Sequence, residues 1–311
     1  MNETSVRRSA GNGSHSAARN PLLWILGMLC VAAAFGVAYW AFVLTATGQQ
    51  ADNNALRGAI AYLDADTARR PALALLGELP TVSAGIGLLA LALAAAVRRS
   101  LFAPAVAALA FGAAVLSSQV LKLVVLDRPD KDISEATVNS FPSGHSTFAA
   151  ASMVAVFLVT SPRWRPLVAT GGGLYAALAG SATFVLGWHR PADILAAYLL
   201  AVFWGLLGGL VILRRQASWN VWRGSSDHWA SARAWVAVLW IPGVVSLGGA
   251  AAAYWFVAHA RGETGTEGLG WYLVAGVLLI VGSALFLFGL GSAFFSNQTR
   301  APQTTRRRPQ R

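Results

Sequence analysis

The chain has 311 residues, of which 56% are hydrophobic and 12% charged, with a formal charge of +11 at neutral pH. With several apolar runs near twenty residues, this composition excludes a disordered chain and favours a polytopic membrane protein over a soluble one. The basic excess does not mark a nucleic-acid binder, because Lys and Arg sit in the tails and in short loops between apolar runs, and the single cysteine, Cys30, allows neither an intrachain disulfide nor a cysteine metal cluster.

Residues 1–20 are rich in Ser, Gly, Asn and Arg, lack an apolar period and read as a disordered basic tail. Arg7 and Arg8 resemble a twin-arginine signal only weakly, and the following run, 22–47, is longer than a signal-peptide core and has no clear cleavage site, so it reads as a retained helix. Further helices are expected near 71–97, 100–126, 146–160, 167–188, 191–213, 234–258 and 269–296. The result is an all-α polytopic fold of about eight crossings. It divides into a six-helix core over 21–213, a cytoplasmic loop over 214–233, two additional helices over 234–296 and a disordered basic tail over 297–311.

Eight crossings put both termini on one side, and 16 of the 24 Lys and Arg residues fall on that side. The positive-inside rule then makes the termini cytoplasmic and turns the opposite surface outward from the cytoplasmic membrane. Gly171, Gly172 and Gly173 lie within an apolar helix and read as a packing face rather than a phosphate loop. Trp219, Trp222 and Trp229 read as interfacial anchors on the cytoplasmic face, and Pro242 with Gly243 as a kink in the seventh crossing. Arg306, Arg307 and Arg308 read as a topology signal able to touch anionic lipid. Glu78, a carboxylate inside an apolar run, needs either a polar cavity to line or a structural partner.

Three polar clusters interrupt the apolar pattern: KLVVLDRP at 122–129, FPSGHS at 141–146 and GWHRPAD at 187–193. His145 and His189 are 44 residues apart, enough for two crossings of roughly 20 residues each, so both return to one surface. A loop of about a dozen residues joins the first cluster to the second, which gathers all three.

Taken alone, Lys122 and Arg128 would pass for helix-end residues snorkelling to the interface. Pro142 suits the first turn of a helix, so the N–H groups of Ser143, Gly144 and His145 are expected at a positive helix end, the kind of end that binds phosphate. Gly144 allows close backbone approach and Ser143 supplies a hydroxyl. Pro191 suits another helix start, and Asp193 follows His189 by four residues, which puts both on one helical face. A carboxylate on one ring nitrogen leaves the other as a lone pair, as a histidine nucleophile requires. His145 is then available as the acid, with Lys122, Arg128 and the helix-end amides facing the phosphate oxygens.

This constellation resembles the type 2 phosphatidic acid phosphatase superfamily, whose motifs are a Lys ahead of Arg-Pro, then Pro-Ser-Gly-His, then Ser-Arg followed at fixed spacing by His and Asp. The resemblance covers about residues 71–213 and is specific at Pro142-Ser143-Gly144-His145 and at His189 with Asp193. It implies a six-helix membrane core and hydrolysis of a phosphate ester through a phosphohistidine, with no metal and no other cofactor. By that likeness His189 is the nucleophile, Asp193 its orienting base and His145 the general acid. Lys122, Arg128, Ser143 and Gly144 form the phosphate cradle.

Two departures stand out. Five residues separate Lys122 from Arg128 where the family pattern has six, and the Ser-Arg pair of the third motif is replaced by Ala182 and Thr183. Losing one charge-assisted hydrogen bond costs about 1.5–3 kcal/mol, or roughly 10- to 150-fold in rate if it acts in the transition state. Arg190, next to His189, either substitutes in part or meets lipid phosphates at the surface.

The expected partner is a phosphorylated membrane lipid in the bilayer, and no nucleic acid. Candidates are phosphatidic acid, phosphatidylglycerol phosphate, a polyprenyl pyrophosphate or a phosphorylated glycolipid. Transfer of the phosphoryl group to another acceptor, or a silent lipid-binding or transport role, are the rival readings, although transport sites tend to sit nearer the bilayer midplane than these helix ends.

Overall fold

The computed structural model describes residues 21–63, 69–134, 139–221, 229–231, 233–259 and 266–299. Residues 1–20 and 300–311 of the two basic tails, and residues 222–228, with Trp222, and 232 of the expected cytoplasmic loop lie outside these residues. Among the described residues there are nine α-helices. α1 (Pro21–Tyr39) runs on through a π-helical turn (Trp40–Leu44), and α2 (Ala46–Tyr62) and α3 (Arg70–Arg98) follow. α4 (Phe102–Val120) ends in a second π-helical turn (Leu121–Val125). α5 (Gly144–Val159), α6 (Arg165–Val185), α7 (Pro191–Arg215), α8 (Arg233–His259) and α9 (Thr266–Asn297) complete the bundle.

Seven of the nine are long and apolar enough to cross a membrane. The eight expected crossings correspond to these seven and to α5, which has 16 residues and spans about 24 Å. That shorter length suits its place, because α5 sits among α3, α4, α6 and α7 and is buried along most of its surface. Its alanines, Ala149, Ala150, Ala151 and Ala155, let the neighbouring backbones approach closely. The outer helices carry the opposite pattern, with Leu26, Leu29, Leu88, Leu89, Leu109 and Leu116 exposed where hydrocarbon would lie.

The start of α1 and the end of α9 lie at one end of the bundle. Trp24 at the start of α1 stacks edge-on against Phe294 and Phe295 at the end of α9, with ring centroids 4.8 and 5.0 Å apart. The other end collects the ends of α1 and α4, the starts of α5, α7 and α9, and all of α2. Two of the three glycines form a packing face: a side chain at Gly172 would meet Phe288 at 2.8 Å, and one at Gly173 would meet it at 3.2 Å, whereas Gly171 is exposed and touches nothing. The helix α8 runs through Pro242, and Gly243 lies against the backbone of Phe286, which brings α8 and α9 into close contact.

Two expectations need correction. Trp219 is not an exposed anchor but 3% exposed: its ring lies under the Arg98 guanidinium at 4.1 Å and its indole N–H donates to the Leu158 carbonyl. Pairing with a cation and a carbonyl offsets the cost of burying it. Trp229 is exposed as expected. The second correction is α2, which was not foreseen. Its sequence is polar on average and gives no crossing signal, yet it folds because Thr45 caps it, accepting from the Gly48 N–H at 3.0 Å.

Candidate active site

Asp193 is the point on which the site is built. It occupies the third position of α7, behind Pro191, and is fully buried. Its Oδ2 accepts from the Arg190 backbone N–H at 3.1 Å, which closes the start of the helix, and from the Ser140 hydroxyl at 2.7 Å. Its Oδ1 meets Arg128 Nη2 at 3.3 Å, and its backbone carbonyl accepts from the Ser143 N–H at 2.9 Å. One residue, through its carboxylate and its backbone carbonyl, thereby ties all three polar clusters together.

His189 faces Asp193 Oδ2 with Nδ1 at 3.3 Å. The two residues meet across the start of α7 rather than along a helical face, because His189 precedes Arg190, the N-cap residue. The carboxylate assigns the proton to Nδ1 and leaves Nε2 as a lone pair. The turn that delivers His189 comes from Gly187, whose φ of 74° ends α6. There the Trp188 N–H returns to the Thr183 carbonyl and the Gly187 N–H to the Phe184 carbonyl, a Schellman closure. The same turn brings Trp188 against His145, with ring centroids 5.3 Å apart.

The FPSGHS segment starts α5 two residues later than Pro142 suggests: Ser143 is the N-cap and Gly144 the first helical residue. Ser143 is buried, its hydroxyl at 3.1 Å from Ser146 Oγ and accepting from the Ser146 N–H. The open amides at this helix end are therefore those of Gly144 and His145, in the first two helical positions where no intrahelical acceptor exists. His145 is exposed and lies within electrostatic range of His189 and Lys122.

Lys122 sits on the π-helical turn that ends α4, where the Leu126 N–H reaches back to Leu121. Wider turns of this kind recur at functional sites. A side chain on Gly144 would meet Lys122 Nζ at 3.8 Å and Gln119 Nε2 at 3.0 Å, so both α4 residues lie over the open end of α5. Gln119, one turn before Lys122, carried no motif signal.

Arg128 is nearly buried and paired with Asp193. Arg190 is 4% exposed, and its guanidinium donates to Ser140 Oγ and Asn53 Oδ1, each at 3.3 Å, and to Ser134 Oγ. Burial and the charge of Arg128 lower its pKa, while Asp193 and Asp52 oppose that shift. The guanidinium is therefore turned to protein oxygens of Ser140, Asn53 and Ser134.

At the positions of the absent Ser-Arg pair, Ala182 packs against Leu76, and Thr183 is buried with its hydroxyl on the Gly180 carbonyl and 3.4 Å from Ser146. Glu78 lies on the exposed side of α3, off the face formed by Ala72, Leu76 and Leu79, and has no ion-pair partner among the described residues. No three His, Cys, Asp or Glu side chains converge as a metal site among the described residues.

Sequence reasoning missed the contribution of α2, whose residues at successive turns reach into the loops that carry the motifs. Gln49 donates to the Pro129 carbonyl at 2.9 Å, Asn53 to the Ile133 carbonyl at 3.1 Å, and Asp52 accepts from the Ala192 N–H at 3.0 Å. Three polar residues buried on one face were the available signal. Reading it required knowing where the loops fold.

No curated protein and no solved structure gives a significant match to the chain. The family model of the PAP2 superfamily matches residues 103–217, the stretch that contains Lys122, Arg128, Ser143, Gly144, His145, His189 and Asp193. The match spans α4 through α7 and agrees with the resemblance that the three motifs carry.

Proposed function

We propose that the protein is a membrane phosphatase that releases phosphate from a lipid phosphomonoester or pyrophosphate through a phosphohistidine on His189. The match to the superfamily model over residues 103–217 supports lipid-phosphate chemistry of this general kind. The observation that carries the finer reading is the His189 Nδ1 contact with buried Asp193, which leaves Nε2 free for attack. In the first step Nε2 attacks phosphorus, the bond from phosphorus to the lipid oxygen breaks, and protonated His145 gives its proton to that oxygen. In the second, His145 takes a proton from water, the resulting hydroxide attacks the phosphohistidine, and inorganic phosphate leaves with His189 restored. Lys122 and the amides of Gly144 and His145 hold the nonbridging oxygens, and Arg128, through Asp193, fixes the nucleophile. Ser143 serves as the helix cap that orients those amides.

The site end of the bundle is opposite the start of α1 and the end of α9, and the sequence's excess of Lys and Arg on that other side favours an active site on the outer face of the cytoplasmic membrane. A thiol-specific, membrane-impermeant label should therefore reach a cysteine placed at Asp130 in intact cells; labelling only after lysis would reverse the orientation.

The test of the function is phosphate release by the detergent-solubilised protein over a panel of lipid phosphates, with chelator present. Chelator-resistant release that disappears in His189→Ala supports the reading. A phosphorylated acceptor without free phosphate would assign phosphotransfer instead. No turnover of any lipid by a well-folded protein would overturn both.

A further inference from the structure

The carboxylate of Asp52 is buried in the same polar cluster as Asp193 but comes from α2, outside the residues matched to the superfamily. One oxygen accepts from the Ala192 N–H at 3.0 Å, so Asp52 caps the first turn of α7 from another helix. The other oxygen has no hydrogen-bond partner. Flanking it on α2, Gln49 and Asn53 bind the loop that carries Arg128 and the Arg190 guanidinium, so its position is fixed on both sides. A fully buried carboxylate with a bare oxygen, set beside a second carboxylate, is an expensive feature for a structural cap, since a neutral Asn or Ser would serve.

Resting on the reading of this site as phosphate-binding, we propose that Asp52 is a positioning residue that holds the start of α7, and with it Asp193. Its gain or loss of a proton sets how strongly the site attracts phosphate.

The charged and titratable groups around it are Asp193 on α7, Arg128 on the loop after α4, Arg190 at the start of α7 and the Tyr254 hydroxyl on α8, which also lacks a partner. Burial and the Asp193 charge push Asp52 up to about 7, while the Ala192 amide and the two arginines hold it down. Below that pH Asp52 is neutral, and the two arginines outweigh the single carboxylate of Asp193. Above it Asp52 ionises, the excess positive charge is cancelled, and the field drawing phosphate toward Lys122 and Gly144 weakens. Binding is therefore expected to worsen as pH rises through this range, the direction required of an acid whose charged form repels the ligand.

The experiment measures KM and kcat for a lipid phosphate between pH 6 and 9, and in parallel the binding of orthovanadate by titration calorimetry, for wild type and Asp52→Asn. The substrate's own ionisation is common to both proteins and cancels in the comparison. Wild type is expected to lose affinity by roughly tenfold across the range, the order for one charge acting through a medium of intermediate dielectric. Asp52→Asn, which keeps an acceptor for Ala192 and carries no charge, is expected to lack that tenfold loss and to keep only the pH dependence common to both proteins. Superimposable profiles for the two proteins would overturn the proposal.

If Asp52→Asn fails to fold, Asp52→Ser, which also offers Ala192 an acceptor and carries no charge, takes its place, and a profile superimposable on wild type overturns the proposal. Vanadate binding that follows the expected pattern in a protein that turns over no lipid phosphate would leave Asp52 in place and remove the phosphatase reading.

Discussion

His189→Ala is expected to release phosphate at least about 10⁴-fold more slowly than wild type, because deleting a covalent nucleophile leaves only the contribution of binding and charge. Acid-labile, alkali-stable phosphate bound to protein after rapid quenching should be present in wild type and absent in this variant. His145→Ala is expected to fall by roughly 10²- to 10⁴-fold on a lipid substrate, the usual value of a positioned acid. It should recover much of that loss in the first step when the leaving group is a nitrophenolate, which departs without a proton. If both variants respond alike to the better leaving group, the assignment of nucleophile and acid is wrong. Label retained in His189→Ala would place the intermediate elsewhere.

Asp193→Ala is expected to damage the protein in two ways that can be separated. Removing the carboxylate leaves Arg128 without its buried counter-charge, and Ser140, His189 and the Arg190 amide without their acceptor. A broken buried pair of this kind costs about 3–5 kcal/mol, read as a lower thermal midpoint in detergent. Asp193→Asn keeps the shape and one acceptor, so it should recover part of the stability. Its amide can present an N–H to His189 and favour the opposite tautomer, so turnover should still fall by roughly 10³- to 10⁴-fold. Near-normal turnover in Asp193→Asn would mean that the pairing with His189 does not orient the nucleophile.

The parts of this site that were legible in the sequence are those in which local chemistry and spacing agree. The 44-residue separation of the histidines, filled with two apolar runs, brings His145 and His189 to one end, and Pro191 announces a helix start. What stayed hidden depends on partners distant in sequence. Asp52 and Ala192 are 140 positions apart, and neither has a periodic signal that points to the other. Trp219 read as an anchor because aromatic residues between crossings commonly lie at the interface, but Arg98 and Leu158 are positioned to bury it. The short apolar run that became α5 was readable as a helix, whereas its place at the centre of the bundle followed only from what surrounds it.

The polar helix α2 does more than touch the motif loops, for its far end lies on the last helix. Gly58 abuts the backbone of Leu269, and Tyr62 lies beside Gly270. The chain therefore closes on itself, with an early element seated on the final one. During synthesis α2 leaves the ribosome some two hundred residues before its neighbour does, and until α9 inserts it has half its bed missing. The loop holding Arg128 leans on α2, so the candidate site is fully braced only once α9 is in place, and a nascent chain in the membrane carries its histidines before α2 is seated on both sides.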